Sequence, residues 1–322
     1  KEMSEGEESI RDETQYLSTY KRVLEYFDAT LIGLTATPAL HTTEIFGKPV
    51  FTYSFTRAVE EGYLDNYNNP IRYMTKLSQA GIEIPEGTTV QVLTNATGQK
   101  NTALLQDDMD FDVADFNRRV IAPAFNKVIC QALVEDLKPL GDEKTMIFCV
   151  TDRHADQVVL FLNKMFKEKY GKDWNSDAVA KITGNSDQPD KLIESYKKSK
   201  FPNIAVTVDL LTTGIDVPKI CNLVFMRKVR SRILFEQMLG RATRLCTEIG
   251  KTEFRIYDAV DIFATLQAVN TMQPIVVRPN ISIHPLIREL MDPDLRKRAN
   301  AIDVPCIDQV KRTQADMGLD EF

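Results

Sequence analysis

Between residues 116 and 265, short apolar runs alternate with longer stretches whose apolar positions recur every three to four residues. The runs Thr145–Val150, Ala178–Ile182, Ile204–Val208, Leu223–Arg227 and Phe254–Asp258 predict buried strands. The stretches Phe116–Leu137, Ala155–Lys169, Lys191–Lys197 and Ile233–Leu239 predict the intervening helices. Strands alternating with helices imply an α/β fold, a doubly wound parallel sheet. Ligands of such sheets sit beyond the carboxyl ends of the strands, which directs attention to the loops after residues 34, 150, 182, 208 and 258.

The pattern before residue 116 is different. Residues 1–15 are polar and acidic, and Tyr16–Phe27 carries an amphipathic helical pattern. Ala29–Leu34 predicts a strand ending at Thr35-Ala36-Thr37-Pro38, and Thr56–Glu61 a helix stopped by Gly62. Thr88–Thr94 and Thr102–Leu105 flank Asn95-Ala96-Thr97-Gly98 and predict a hairpin, with acidic Asp107–Asp115 as a connector.

Composition excludes several classes. A hydrophobic fraction of 43% and a charged fraction of 27% are those of an ordinary globular protein. No run approaches the ~18 apolar residues that cross a bilayer, so no membrane partner is expected and the cytoplasm is the default location. The five cysteines (Cys130, Cys149, Cys221, Cys246, Cys306) include no CxxC, and the three histidines are scattered, so no metal site is expected. The net charge of −6 masks a basic stretch: Lys219 to Arg255 holds nine basic and three acidic residues. Because screening acts over about 10 Å, a locally basic face on an acidic protein remains compatible with DNA.

Two segments carry chemistry. In Gln237-Met238-Leu239-Gly240-Arg241-Ala242-Thr243-Arg244, two arginines three apart are expected on one helix face, with Gly240 leaving room for a phosphate or backbone. Arginine offers a permanently charged fork of donors to phosphate oxygens. Asp209-Leu210-Leu211-Thr212-Thr213-Gly214-Ile215-Asp216-Val217-Pro218 follows an apolar strand and supplies hydroxyls, a glycine and a carboxylate suited to a ribose hydroxyl.

These segments resemble motifs VI and V of superfamily-2 helicases. Met146-Ile147-Phe148-Cys149 resembles motif IV and Thr35-Ala36-Thr37-Pro38 motif III, in the family's order. The glutamine at the head of motif VI resembles DNA translocases, the DEAH relatives and restriction enzymes rather than RNA helicases of the DEAD-box kind. Ile32 through Thr43, Phe116-Asn117-Arg118-Arg119-Val120, Asn203 through Val224 and Arg230 through Leu234 resemble the restriction (R) subunit of type I restriction-modification enzymes. The implied fold is RecA-like. Residues 1–72 would be the last part of a first RecA-like domain, 73–115 a hairpin linker, 116–265 the second domain, and 266–322 a helical extension.

The resemblance also implies roles. Arg241 and Arg244 would contact the γ-phosphate of ATP, with Gln237 nearby; Gly214, Asp216 and Gly240 would line the nucleotide. Thr35, Thr37 and Asp209 would couple hydrolysis to movement. Thr212, Thr213, Thr151, Arg153 and Thr183 would face the DNA backbone. Many relatives carry threonine where this chain has Val208, so no phosphate contact is assigned there. The parent would be an ATP-dependent type I site-specific deoxyribonuclease. It would translocate double-stranded DNA beside methyltransferase (M) and specificity (S) subunits and cleave through a separate N-terminal nuclease domain.

Two elements of a complete motor are missing from the sequence. Gly250-Lys251-Thr252 imitates the end of a phosphate-binding loop, but Leu245 stands where GxxxxGK[ST] needs glycine. Asp12-Glu13-Thr14-Gln15 imitates a DExH motif without its strand, and Pro189-Asp190 and Pro293-Asp294 read as turns. The expectation is an excised fragment, inactive alone, with ATP and Mg2+ held mainly by an upstream domain. Two alternatives stay open: a type III restriction or DNA-repair helicase, and a non-catalytic helicase-like binding module.

Overall fold

The computed structural model describes residues 22–24, 26–36, 40–84, 89–93, 100–104, 109–208, 216–229, 231–266 and 270–274. Its strands are β1 (Asn66–Tyr67), β2 (Ile71–Arg72), β3 (Ile82–Ile84), β4 (Thr89–Leu93), β5 (Lys100–Leu104), β6 (Met109–Phe111), β7 (Lys144–Phe148), β8 (Val179–Lys181), β9 (Ile204–Thr207), β10 (Ile220–Phe225) and β11 (Glu253–Asp258). The helices are α1 (Leu40–Phe46), α2 (Phe55–Glu60), α3 (Lys76–Ala80), α4 (Pro123–Asp136), α5 (Asp152–Tyr170), α6 (Pro189–Lys198), α7 (Arg232–Leu239) and α8 (Ile262–Leu266).

Seven strands form one parallel sheet in the order β1-β11-β10-β7-β9-β8, with β2 continuing β1 along the same side of β11. Every residue of β7, β9 and β10 is buried, as expected for strands covered on both faces. The five apolar runs of the second half thus become the sheet core, within a residue or three of their expected ends.

Helix ends follow local chemistry. The Thr151 hydroxyl caps α5 by accepting from the His154 amide at 3.2 Å, and Lys167 and Lys169 complement its carboxyl end. Pro189-Asp190 opens α6 instead of forming a free turn, because proline at the first helical position loses no hydrogen bond. The expected helix from Phe116 begins only at Pro123; Asn117 has φ 61°, and Phe116 bridges to Val120.

Two differences matter more. Ala29–Leu34 is not a strand: Ile32 is 82% and Leu34 94% exposed. A strand needs neighbours for its amides and carbonyls, and among the described residues none pairs with this one. Conversely, β1 and β2, expected with the preceding unit, form one edge of this seven-stranded sheet. Tyr67 is buried against Phe55, Phe254 and Phe263, and its hydroxyl donates to the Met272 carbonyl. The boundary at residue 72 therefore cuts through a sheet edge. The hairpin is present as antiparallel β4 and β5, and β3 pairs with β6. Residues 275–322 of the expected helical extension lie outside the described residues.

A buried polar cluster joins residues 117–126 to the loop after β7. The His154 ring accepts from the Val150 amide at 3.2 Å and meets Asn117, which exchanges two 2.8 Å bonds with Asn126. Burial pushes the His154 pKa down to about 3 from its ordinary 6.5. The folded ring stays neutral while the unfolded one takes a proton, so stability is lost as pH falls below about 6.5. His154 alone should cost about 2 kcal/mol of stability between pH 8 and pH 5. Urea titrations of the chain and of His154→Gln at both pH values should show that increment missing in the variant.

Candidate nucleotide-facing site

Helix α7 starts after β10, with Ser231 accepting from the Leu234 amide, and runs back toward the amino edge of the sheet. Phe235, Met238 and Leu239 anchor it in the core. Buried Glu236 pairs with Arg232 at 2.9 Å and accepts from the amide and hydroxyl of Thr271 at 2.8 and 2.7 Å. Gln237 points outward and is exposed.

The helix stops at Leu239, so the two arginines stand on the turn after it rather than on a helix face. The hydrogen bonds show how. The Gly240 amide still reaches back four residues to Glu236, but Arg241 and Ala242 reach back only three, to Met238 and Leu239. A tightened last turn is a common helix ending, and glycine is a poor helix former. A Cβ at Gly240 would lie 3.3 Å from the Glu236 carbonyl oxygen, so the space there is close on the helix side.

Arg241 is half-buried; burial first, and the neighbouring Arg244 charge second, pull its pKa below the ordinary value. Arg244 Nε lies 2.8 Å from Asp216 Oδ1, with both side chains substantially exposed. The motif V carboxylate and the motif VI arginine are thus brought together. An exposed pair of this kind contributes at most about 1 kcal/mol, so an incoming phosphate can displace it.

The location differs from the carboxyl-end expectation. Asp216 precedes β10 and the arginines precede β11, so this cluster lies at the amino edge of the sheet. Thr151 and Arg153 follow β7, and Thr183 follows β8, at the opposite edge. Of these three, Arg153 is exposed. Thr151 is engaged as a helix cap, and Thr183 is 3% exposed with its hydroxyl donating to Asp152 Oδ1 at 2.5 Å. Those two hydroxyls have structural partners, which argues against the expected phosphate contacts. Thr35 is exposed. Thr37, Asp209, Thr212, Thr213 and Gly214 lie outside the described residues.

The basic stretch is also less free than its composition suggests. Lys219, Arg232, Arg244, Lys251 and Arg255 each face an acidic partner: Glu248, Glu236, Asp216, Asp65 and Glu143. Among the described residues, no group of His, Cys, Asp or Glu side chains could hold a metal ion. The guanidinium groups suit the polyphosphate of a nucleotide; magnesium is assigned no ligand here.

Residues 126–246 match the helicase conserved C-terminal domain family. The chain is 48% identical over 305 residues to the type I restriction enzyme EcoKI endonuclease subunit of Escherichia coli K12, covering 94% of this chain. The chain belongs to the restriction (R) subunit family of type I restriction-modification enzymes. The type I EcoAI endonuclease subunit of Escherichia coli is 31% identical across 77% of this chain. A fragment of a type I restriction HsdR subunit from Vibrio vulnificus YJ016 superposes with a TM-score of 0.57, at 26% identity, over 80% of this chain and 45% of that one. The fold is accordingly the RecA-like α/β sheet of superfamily-2 helicases. The chain spans 26% and 30% of the lengths of the two endonuclease subunits.

Two residues at the site escaped the sequence reading. Asp65 lies in no motif, and Lys251 stands in the sequence only as one residue of the basic stretch and as the tail of a false phosphate loop. Their buried ion pair underlies the arginine turn.

Proposed function

We propose that this chain is the arginine-bearing part of the ATP motor of a type I restriction subunit. The parent acts as an ATP-dependent deoxyribonuclease that translocates duplex DNA with M and S subunits in the cytoplasm and cleaves it through a separate nuclease domain. The reading is carried by Arg241 and Arg244, held on one turn at the amino edge of a RecA-like sheet, beside Asp216. In this reading ATP and Mg2+ are held mainly by another RecA-like domain bearing the phosphate loop.

Charge grows on the transferring phosphoryl group as the bond to its leaving group breaks, and a preorganised guanidinium stabilises that charge. Arg241 takes this role, being the more buried of the two and the less screened. Arg244 exchanges Asp216 for phosphate, which releases the carboxylate toward a ribose hydroxyl; Gln237, Gly240 and Gly214 line the same cleft. Thr212 and Thr213 bridge nucleotide and DNA, Arg153 meets the DNA backbone at the opposite edge, and Thr35, Thr37 and Asp209 couple the two. A non-catalytic module has no need of paired γ-phosphate arginines.

The test is a triplex-displacement assay with the full-length subunit assembled with its M and S partners. A third strand bound downstream of the recognition site should be released only with hydrolysable ATP. Hydrolysis without displacement would overturn the translocation reading.

A further inference from the structure

Lys251 is not part of a phosphate loop, yet its side chain is fully buried directly beneath the arginine turn. Its ammonium donates to the carbonyls of Ala242 and Arg244 at 2.7 Å each and of Pro218 at 3.2 Å. Those three bonds use all three of its protons. Asp65 Oδ2 lies 3.1 Å away and supplies the counter-charge. The Asp65 amide donates to the Thr243 carbonyl at 2.7 Å. Three consecutive carbonyls, at 242, 243 and 244, are therefore held by two residues 186 positions apart. Pro218 belongs to the other segment of the site, two residues beyond Asp216.

We propose that Lys251 and Asp65 are positioning residues that fix the arginine turn against the Asp216 segment, setting where Arg241 and Arg244 stand. One ammonium ties both segments together, so it sets their separation directly. The carbonyls after a helix end have no intrahelical partner, and without a donor the turn could continue as helix or fray. A buried ion pair adds little net stability over an apolar pair of similar size, so what this one contributes is register. The inference rests on the reading of the two arginines as phosphate-facing.

The test has two arms, one of which does not depend on activity. In the 322-residue chain, hydrogen exchange of the Gly240, Arg241 and Ala242 amides should quicken at least tenfold in Lys251→Met, with β7 and β9 unchanged. In the full-length subunit, the same substitution should lower kcat for DNA-stimulated ATP hydrolysis at least tenfold. The KM for ATP should stay within twofold and duplex binding should be unaltered. Asp65→Asn keeps its backbone bond to Thr243 and should move both readouts in the same direction by less; it carries the test if Lys251→Met fails to fold. Exchange within twofold of the parent, or a lower melting temperature with kcat unchanged, overturns the proposal. Full activity of Arg241→Ala alongside quickened exchange in Lys251→Met would instead sink the phosphate reading and leave the positioning intact.

Discussion

Replacing Arg241 with alanine in the full-length subunit is expected to lower DNA-stimulated ATP turnover by about 10³-fold or more, the range seen for arginines that face a transferring phosphoryl group. Such a loss appears in kcat, because the interaction strengthens as charge develops rather than when ATP binds. The KM for ATP should change far less, and duplex affinity little, since Arg241 lies at the sheet edge opposite Arg153. Arg241→Lys should recover only a small part of the rate. A lysine keeps the charge but is a single point donor on a flexible stem, whereas the half-buried guanidinium presents a rigid fork. Arg244→Ala should have a smaller effect than Arg241→Ala, because Arg244 is the more exposed partner and its charge is shared with Asp216. Turnover of Arg241→Ala within tenfold of the parent would remove the assignment.

How far the sequence led depends on the range of the forces involved. The strands β7, β9 and β10 were legible because full burial leaves runs of apolar residues, a local signature. Motif VI was legible as a string, but the end of its helix was not. Gly240 alone does not stop a helix; the carbonyls of residues 242 and 244 are drawn off by the Lys251 side chain seven to nine residues on, and that of Thr243 by the Asp65 amide from far along the chain. Ala29–Leu34 illustrates the reverse: its apolar run looks like β7, but strand pairing is a property of neighbours, and none is among the described residues. The edge strand at 66–72 escaped because its two short pieces, Asn66–Tyr67 and Ile71–Arg72, leave no periodic trace. Asp65 and Lys251 escaped for the same reason: a contact 186 residues apart carries no local spacing.

The largest loss of stability from a single truncation is expected at Phe225, the last residue of β10, on the central part of the sheet. Its fully buried ring lies 5.3 Å from Phe148 of β7, 5.5 Å from Phe235 of α7 and 6.3 Å from Phe263 of α8. Phe225→Ala removes the ring that all three others face, and strands hydrogen-bonded on both sides cannot close in to fill the space. The expected cost is about 4 kcal/mol, read as a lower urea midpoint at unchanged slope. Leu245→Ala, on a side chain 45% exposed, should stay within about 0.5 kcal/mol and serves as the comparison. Phe225→Ala and Lys251→Met also separate stability from function. Phe235 sits six residues before Arg241 on the helix that leads into the arginine turn, so the cavity loosens the root of α7 and should raise exchange at Gly240 and Arg241 as well as in the core. Lys251→Met should loosen the turn while leaving the core strands protected. If Phe225→Ala shifts the urea midpoint no more than Leu245→Ala does, the aromatic cluster is not what holds α7, and its place rests on Met238, Leu239 and the Glu236 contacts instead.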